Sequence, residues 1–197
     1  MIELAEVEFR QNRHQRRTIK RLIVQGNLVL ETPTCLGSGD TDSLTDLPLL
    51  RDSISDRALL TGASIAGALR NYLREYESNY STAETKTSLA TALFGGIRTD
   101  DEGEQSPLIV DDAISLMTPQ IELRDGVRIN GEIGTAEDKA KYDLELLAAG
   151  TEFPLRFELL IEEENEERLL SAIALALRGL ERGEIGIGMK KRRGFGR

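Results

Sequence analysis

The chain of 197 residues has no tryptophan, one cysteine and one histidine, and aromatic residues make up only 5% of it. Each scarcity removes a class of function. The single cysteine, Cys35, excludes an internal disulfide and fits a reducing cytoplasm. With no Cys–His motif beside it, Cys35 reads as a small core residue rather than a nucleophile. So few aromatics argue against a reader of single strands that stacks bases on the face of a sheet. No stretch approaches the roughly 20 apolar residues of a membrane span. The opening MIELAEVEFR has no signal-peptide pattern. No glycine motif follows a strand at the spacing a dinucleotide site needs, which sets aside a nucleotide-dependent metabolic enzyme. What remains is 40% hydrophobic and 30% charged, the composition of one globular domain with a real core.

A net charge of −9 argues at first against a nucleic-acid partner, but the charges are segregated. Arg10, Arg13, Arg16, Arg17, Lys20 and Arg21 share a segment with no acid. Lys190, Lys191, Arg192, Arg193 and Arg197 share another, so 11 of the 25 cations lie in two short stretches. The acids gather elsewhere, as in Asp100–Glu104 and Glu162–Glu167. The pattern is of local basic surfaces on an acidic body.

The second basic stretch closes the sequence as GIGMKKRRGFGR, with Gly186, Gly188, Gly194 and Gly196 around Lys190 to Arg193. Glycine lets backbone N–H groups come close to a ligand, and the cations offer charge to phosphates. The loop is suited to a phosphodiester backbone; the alternative is a flexible basic tail.

Patterning gives the order strand, helix, strands, helix, basic loop. Leu22–Glu31 reads as a core strand, and a polar stretch with Asp40, Asp42, Asp46, Asp52 and Asp56 follows. Ile65, Leu69, Tyr72, Leu73 and Tyr76 mark an amphipathic helix over 61–77, capped by Thr61 or Ser64. A short helix is expected over 85–94. Pro107–Met117 reads as a strand. Residues 127–141 read as a loop or hairpin projecting from the body, and 142–147 and 153–161 as strands. Leu169, Leu170, Ile173, Leu177 and Leu180 stripe a helix over 166–182 that stops at Gly183. The order predicts an α+β, ferredoxin-like (RRM-like) βαββαβ core within a single domain. An inserted thumb-like hairpin spans 118–141, and the glycine-rich loop ends the chain. The last strand is either formed by 183–189 or missing through truncation.

Four segments in this order carry a family resemblance: ETPTCLGSG (31–39), DLPLLRD with LTGASIAGALR (46–52 and 60–70), RINGEIGTAEDKAKYDLELLAAGTEF (128–153) and GIGMKKRRGFGR (186–197). Together they resemble the RAMP superfamily of CRISPR-associated proteins, and more narrowly the backbone subunits of type III effector complexes. The resemblance implies subunits that line up along a guide RNA, alongside other RAMP subunits, without reading its sequence. Complementary target RNA then pairs with the guide, and base pairing supplies the specificity. In catalytic members an acidic loop residue cuts the target beside each thumb, with Mg²⁺ or another divalent metal.

Carried over residue by residue, that role falls on Asp46, just before Leu47-Pro48-Leu49-Leu50-Arg51-Asp52, as catalytic and metal-binding residue. RNA can use its own 2′-OH as nucleophile, so a carboxylate need only help deprotonate it or hold Mg²⁺. Asp46 could instead cap a turn before Pro48, and Asp40 and Asp42 are rivals. Arg51, Ser64 and Arg70 match positions near the guide backbone; a solvent-facing charge is the other reading of Arg70. Ala66 stands where many relatives carry lysine, and Ala63 replaces a serine. Gly186, Gly188, Lys190, Lys191, Arg192, Arg193, Gly194 and Gly196 form the main RNA-binding loop, with Phe195 expected in the core. Ile129 and Ile133 are candidate wedges beside a displaced base, or else hairpin core. His14 reads as a surface residue, which argues against a histidine-dependent nuclease that processes guide precursors. Two other functions stay open: the same scaffold without cleavage, and a general single-strand RNA-binding domain.

Overall fold

Lys20–Val29 forms β1 because its even-numbered side chains are apolar and its odd-numbered ones mostly polar, the two-residue period of a strand with one buried face. The computed structural model describes residues 18–39, 44–79, 85–96 and 103–197. The expectations for Arg10, Arg13, His14, Arg16, Arg17, Asp40 and Asp42 fall outside these residues. β1 is antiparallel to β7, Glu152–Ile161, which on its other side is antiparallel to the short β3, Leu108–Val110. The order β1-β7-β3 puts two parallel strands about an antiparallel one. That arrangement is compatible with three strands of a ferredoxin-like unit.

Helices cover one face of this sheet. In α1, Gly62–Ser78, Ile65, Leu69 and Leu73 recur every fourth residue and are buried. Thr61 is its cap, with a side chain that accepts from the Ser64 amide at 3.2 Å. The predicted stripe extends too far at its end, because Tyr76 is exposed. α2, Leu89–Phe94, is shorter than the pattern suggested and starts at the Ser88 cap. α3, Glu166–Glu181, buries Leu169, Ala172, Ile173, Ala176 and Gly179, so small residues share its stripe with large ones. The Tyr72 ring of α1 lies against Gly179, where a side chain would collide with it. Gly183 ends α3 with a φ of 66°, as its position predicts.

The Pro107–Met117 strand breaks in two. After β3 the chain turns at Asp111 and Asp112, and Ala113–Ile114, β4, pairs instead with Leu59–Leu60, β2. Both acids are taken up by long-range partners: Arg156 donates to Asp111 at 2.9 Å and the Gly62 amide to Asp112 at 2.7 Å. After α3, residues 183–189 add no strand to the three-stranded sheet; Met189 makes one bridge, to Cys35.

The projecting segment is a hairpin of β5, Ile121–Ile129, and β6, Ala136–Leu147. It is longer than the expected 118–141 thumb at its second strand, because the expected strand 142–147 is the continuation of β6. Asn130 accepts the amides of Glu132 and Ile133 and closes the turn. Around the hairpin base lies a second small core of Cys35, Leu144 and Leu146, with Leu47, Tyr142 and Phe195 packed on it. No helix among the described residues is long and apolar enough to cross a membrane.

Candidate nucleic-acid interface

A segment without regular structure, Thr32–Gly37, is the spine of the site. Its backbone groups are spread over several neighbours. Thr34 exchanges two hydrogen bonds with Leu147 of β6, at 3.0 and 2.8 Å. Cys35 accepts from Met189 at 2.9 Å, Pro33 accepts from Gly196 at 3.1 Å, and Leu36 accepts from Leu50 at 2.7 Å. The spine therefore holds the hairpin, the C-terminal loop and the Asp46–Arg51 segment together. Burial pushes the Cys35 thiol above its ordinary value, which keeps it protonated and inert.

Beside the spine is a cleft of about 450 Å³, lined by Leu36, Gly37, Thr61, Ser64, Gly67, Asn71, Gly188 and Lys191 among others. It brings together three of the four segments singled out in the sequence. Ser64 lies here, its hydroxyl 2.9 Å from that of Thr61. Thr61, Asn71 and Met189 also line the cleft and were missed as site residues; only Thr61 carried a signal, as a cap.

The C-terminal loop is ordered by its own contacts rather than left as a tail. Ile185 and Ile187 are buried, and a 3₁₀ turn over Lys191–Arg193 is closed by Gly194 donating to Lys191 at 3.0 Å. Two glycines serve close packing of the chain on itself. At Gly188 (φ 83°) a Cβ would strike the Cys35 carbonyl, and at Gly196 (φ 83°) it would strike that of Ile187. Gly194 has open space around it, and Gly186 borders Lys191.

Lys190, Lys191, Arg192 and Arg193 are all exposed, and none has a carboxylate partner among the described residues. Lys190 and Arg193 lie over the Tyr142 ring, at 4.9 and 5.8 Å from its centre. Arg124 lies over Phe195 at 5.3 Å. These cation–π contacts tie loop and hairpin, each contributing about 0.5–1 kcal/mol at an exposed site. The Tyr142 ring fits across the ladder from Gly126, and its hydroxyl is buried without a partner. Phe195 packs on the second core, as expected.

The other residues named in the sequence are placed differently from one another. Asp46 is exposed at the foot of the hairpin, where one carboxylate oxygen accepts the Asp143 amide at 2.9 Å. Glu145 reaches the Leu49 amide at 3.1 Å, and Leu47 bonds both ways with β6. Among the described residues no three His, Cys, Asp or Glu side chains gather to hold a metal. Arg51 pairs with Asp56 across a tight turn at 3.5 Å. In that turn hydrogen bonds from Ser55 hold the Asp52 carboxyl below its ordinary value. Arg70 donates to the carbonyls of Gly95 and Gly96 at 3.2 and 3.3 Å, so it joins α1 to the end of α2. Ile129 and Ile133 are 60% and 69% exposed, which removes the hairpin-core reading of both. With Leu123 and Val127 they give the hairpin an exposed apolar strip.

A family model described as the RAMP superfamily matches residues 27–197, from within β1 through the last glycine loop. The chain belongs to the RAMP superfamily. The match covers the spine, both helices that flank the cleft, the hairpin and the basic loop of this RAMP protein. Membership supports a CRISPR-associated, RNA-binding function, and some RAMP proteins are RNA endonucleases. No protein of curated function matches the chain.

Proposed function

We propose that this RAMP protein is a guide-RNA-binding backbone subunit of a type III CRISPR effector complex that cuts complementary target RNA with Asp46. The observation that carries the RNA-binding part is the row Lys190–Arg193: adjacent exposed cations, without carboxylate partners, on an ordered loop at the mouth of a cleft. Such a row neutralises consecutive phosphates without reading bases. The exposed apolar strip of the hairpin suits a wedge that enters a guide–target duplex. The sheet face away from the helices has no aromatic among its described residues, since Phe153 and Phe157 are both buried. It carries instead the ion network of Arg21, Glu158, Arg156 and Asp111. That disfavours a general reader that stacks bases on its sheet.

For cleavage, Asp46 takes the proton of the target's 2′-OH, whose oxygen attacks the adjacent phosphorus as the 5′-oxygen leaves. The amide of Asp143 aims the carboxylate, and the basic loop fixes the RNA backbone. A lone exposed carboxylate fits Mg²⁺, which takes one or two carboxylates and completes its shell with phosphate oxygens and water. When bound, the ion supplies charge neutralisation at the phosphate. Asp46 would hold it. The same hydrogen bond to Asp143 favours the second reading, a scaffold without cleavage in which Asp46 fastens the hairpin.

The test is cleavage of a labelled complementary RNA by the guide-loaded complex with Mg²⁺. Asp46→Asn keeps an acceptor for the Asp143 amide but is no base. The expected outcome is unchanged target binding with loss of the cut, by about 10²–10⁴-fold. Equal cutting by both proteins refutes the role of Asp46, and binding without cutting by the wild type establishes the scaffold.

A further inference from the structure

β1 has β7 on one side and, among the described residues, no strand on the other. Hydrogen bonds at the sheet's margins fix which way its backbone points. Leu160 donates to Pro107 at 2.9 Å and Asp111 to Arg156 at 3.2 Å, so even-numbered residues of β7 face β3. Its odd-numbered residues face β1, where the register pairs them with even numbers. Leu30 donating to Thr151 at 3.0 Å keeps that parity. The N–H and C=O groups of Arg21, Ile23, Gln25, Asn27 and Val29 therefore point out of the sheet. An open row of this kind is a template for another strand.

Two further observations say what fits it. The next odd residue, Glu31, donates to the Arg197 carbonyl at 2.6 Å, so the first rung beside β1 is already laid. Arg197 is fixed there by its own amide, which donates to Thr32 Oγ1 at 3.0 Å. Alongside the edge runs an apolar cavity of about 350 Å³, lined by Val24, Leu28, Leu177, Leu180, Ile185 and Ile187 among others. Leu177 and Leu180 continue the stripe of α3 yet stay only half-buried, whereas Leu169 and Ile173 are buried. The cavity is what the first pair faces.

We propose that the open edge of β1 is a strand-acceptor site for an extended polypeptide segment with apolar residues at alternate positions. The segment runs antiparallel to β1, starting beside Arg197. Its backbone completes the row of donors and acceptors, and its alternate side chains fill the cavity and finish burying Leu177 and Leu180. Alternating donors and acceptors at strand spacing next to an apolar cavity suit a polypeptide and not the RNA of the basic loop. The site stands apart from the RNA-binding reading.

The test extends the full chain past Arg197 by nine residues of alternating valine and threonine, valine first, so that the valines face the cavity. A control extension has proline in place of each threonine. Hydrogen exchange is followed at the amides of Ile23, Gln25, Asn27 and Val29, at a concentration where the chain is monomeric. The valine–threonine chain is expected to slow these amides on the order of tenfold or more and to raise Tm, and the control to do neither. Equal exchange in the two extended chains overturns the proposal. So does protection of these amides in the unextended chain: independent of concentration, it assigns the edge to residues 1–17; rising with concentration, it assigns it to a second copy.

Discussion

Neutralising the basic loop has a consequence that can be worked out before any RNA complex is seen. Each phosphate neutralised on a single strand adds about −0.7 to the slope of log K against log salt. Lys191 and Arg192 are exposed and take no part in the Tyr142 contacts. Changing both to glutamine should make the slope shallower by about 1.4, and changing all of Lys190–Arg193 by about 2.8. Between 50 and 200 mM salt the wild type should then lose about 7-fold more affinity than the first variant and about 50-fold more than the second. Fluorescence anisotropy with a labelled single-stranded RNA reads this directly. Two RNAs of unrelated sequence should lose affinity equally, because phosphate contacts carry no base information. The four-site variant also loses the contacts to Tyr142, roughly 1–2 kcal/mol of stability, so Tm is followed beside it. An unchanged slope, or a loss that depends on RNA sequence, would refute the phosphate role of the loop.

Tyr142 and Glu158 give two further predictions. Tyr142→Phe keeps the ring between Gly126 and the loop cations but removes a buried hydroxyl that has no partner, so stability in urea should rise or hold. Tyr142→Ala should cost about 3–5 kcal/mol and free the hairpin amides to exchange; equal stability of the two variants would show that the ring does not hold the hairpin. The Arg21 guanidinium and then Arg156 hold the Glu158 carboxyl below its ordinary value of 4.5, despite the desolvation that opposes them. A depressed native pKa means the ionised form stabilises the fold above the ordinary value, and this is lost as pH falls through the lowered one. Glu158→Gln should therefore flatten the acid limb of the stability–pH curve below about pH 4.5, and an unchanged limb counts against the pairing.

The parts legible in the sequence were those whose signal is local. The four-residue recurrence of Ile65, Leu69 and Leu73, the alternation along β1 and the stop at Gly183 each arise within one element. The break at Asp111 and Asp112 could not be read, because its causes are Arg156 and the start of α1, both far along the chain. The spine Thr32–Gly37 has no period, since its bonds go to segments distant from each other, so only the family resemblance marked it. For the site, the basic loop was legible from charge alone. Its glycines were assigned to contact with a ligand, whereas Gly188 and Gly196 are needed where the loop packs on Cys35 and Ile187. Tyr142 was missed because its meaning depends on lying opposite Gly126, a register that the charged and solvated strands β5 and β6 do not announce.

The geometry bears on how a loop that cannot read sequence could still act at a defined place. Basic loop and hairpin have no secondary-structure pairing with each other, yet both are fastened to the spine, through Met189 and Gly196 on one side and Leu147 on the other. Asp46 joins the same assembly one residue from Leu47, which bonds to β6, and its carboxylate holds the strand at Asp143. Loop cations on Tyr142 and Arg124 on Phe195 close the remaining gap. With the offset between these three features set by short, well-packed contacts, an RNA backbone held by the loop meets hairpin and carboxylate at a fixed distance along the strand. Position is then a property of the protein's rigidity, and sequence is left to base pairing.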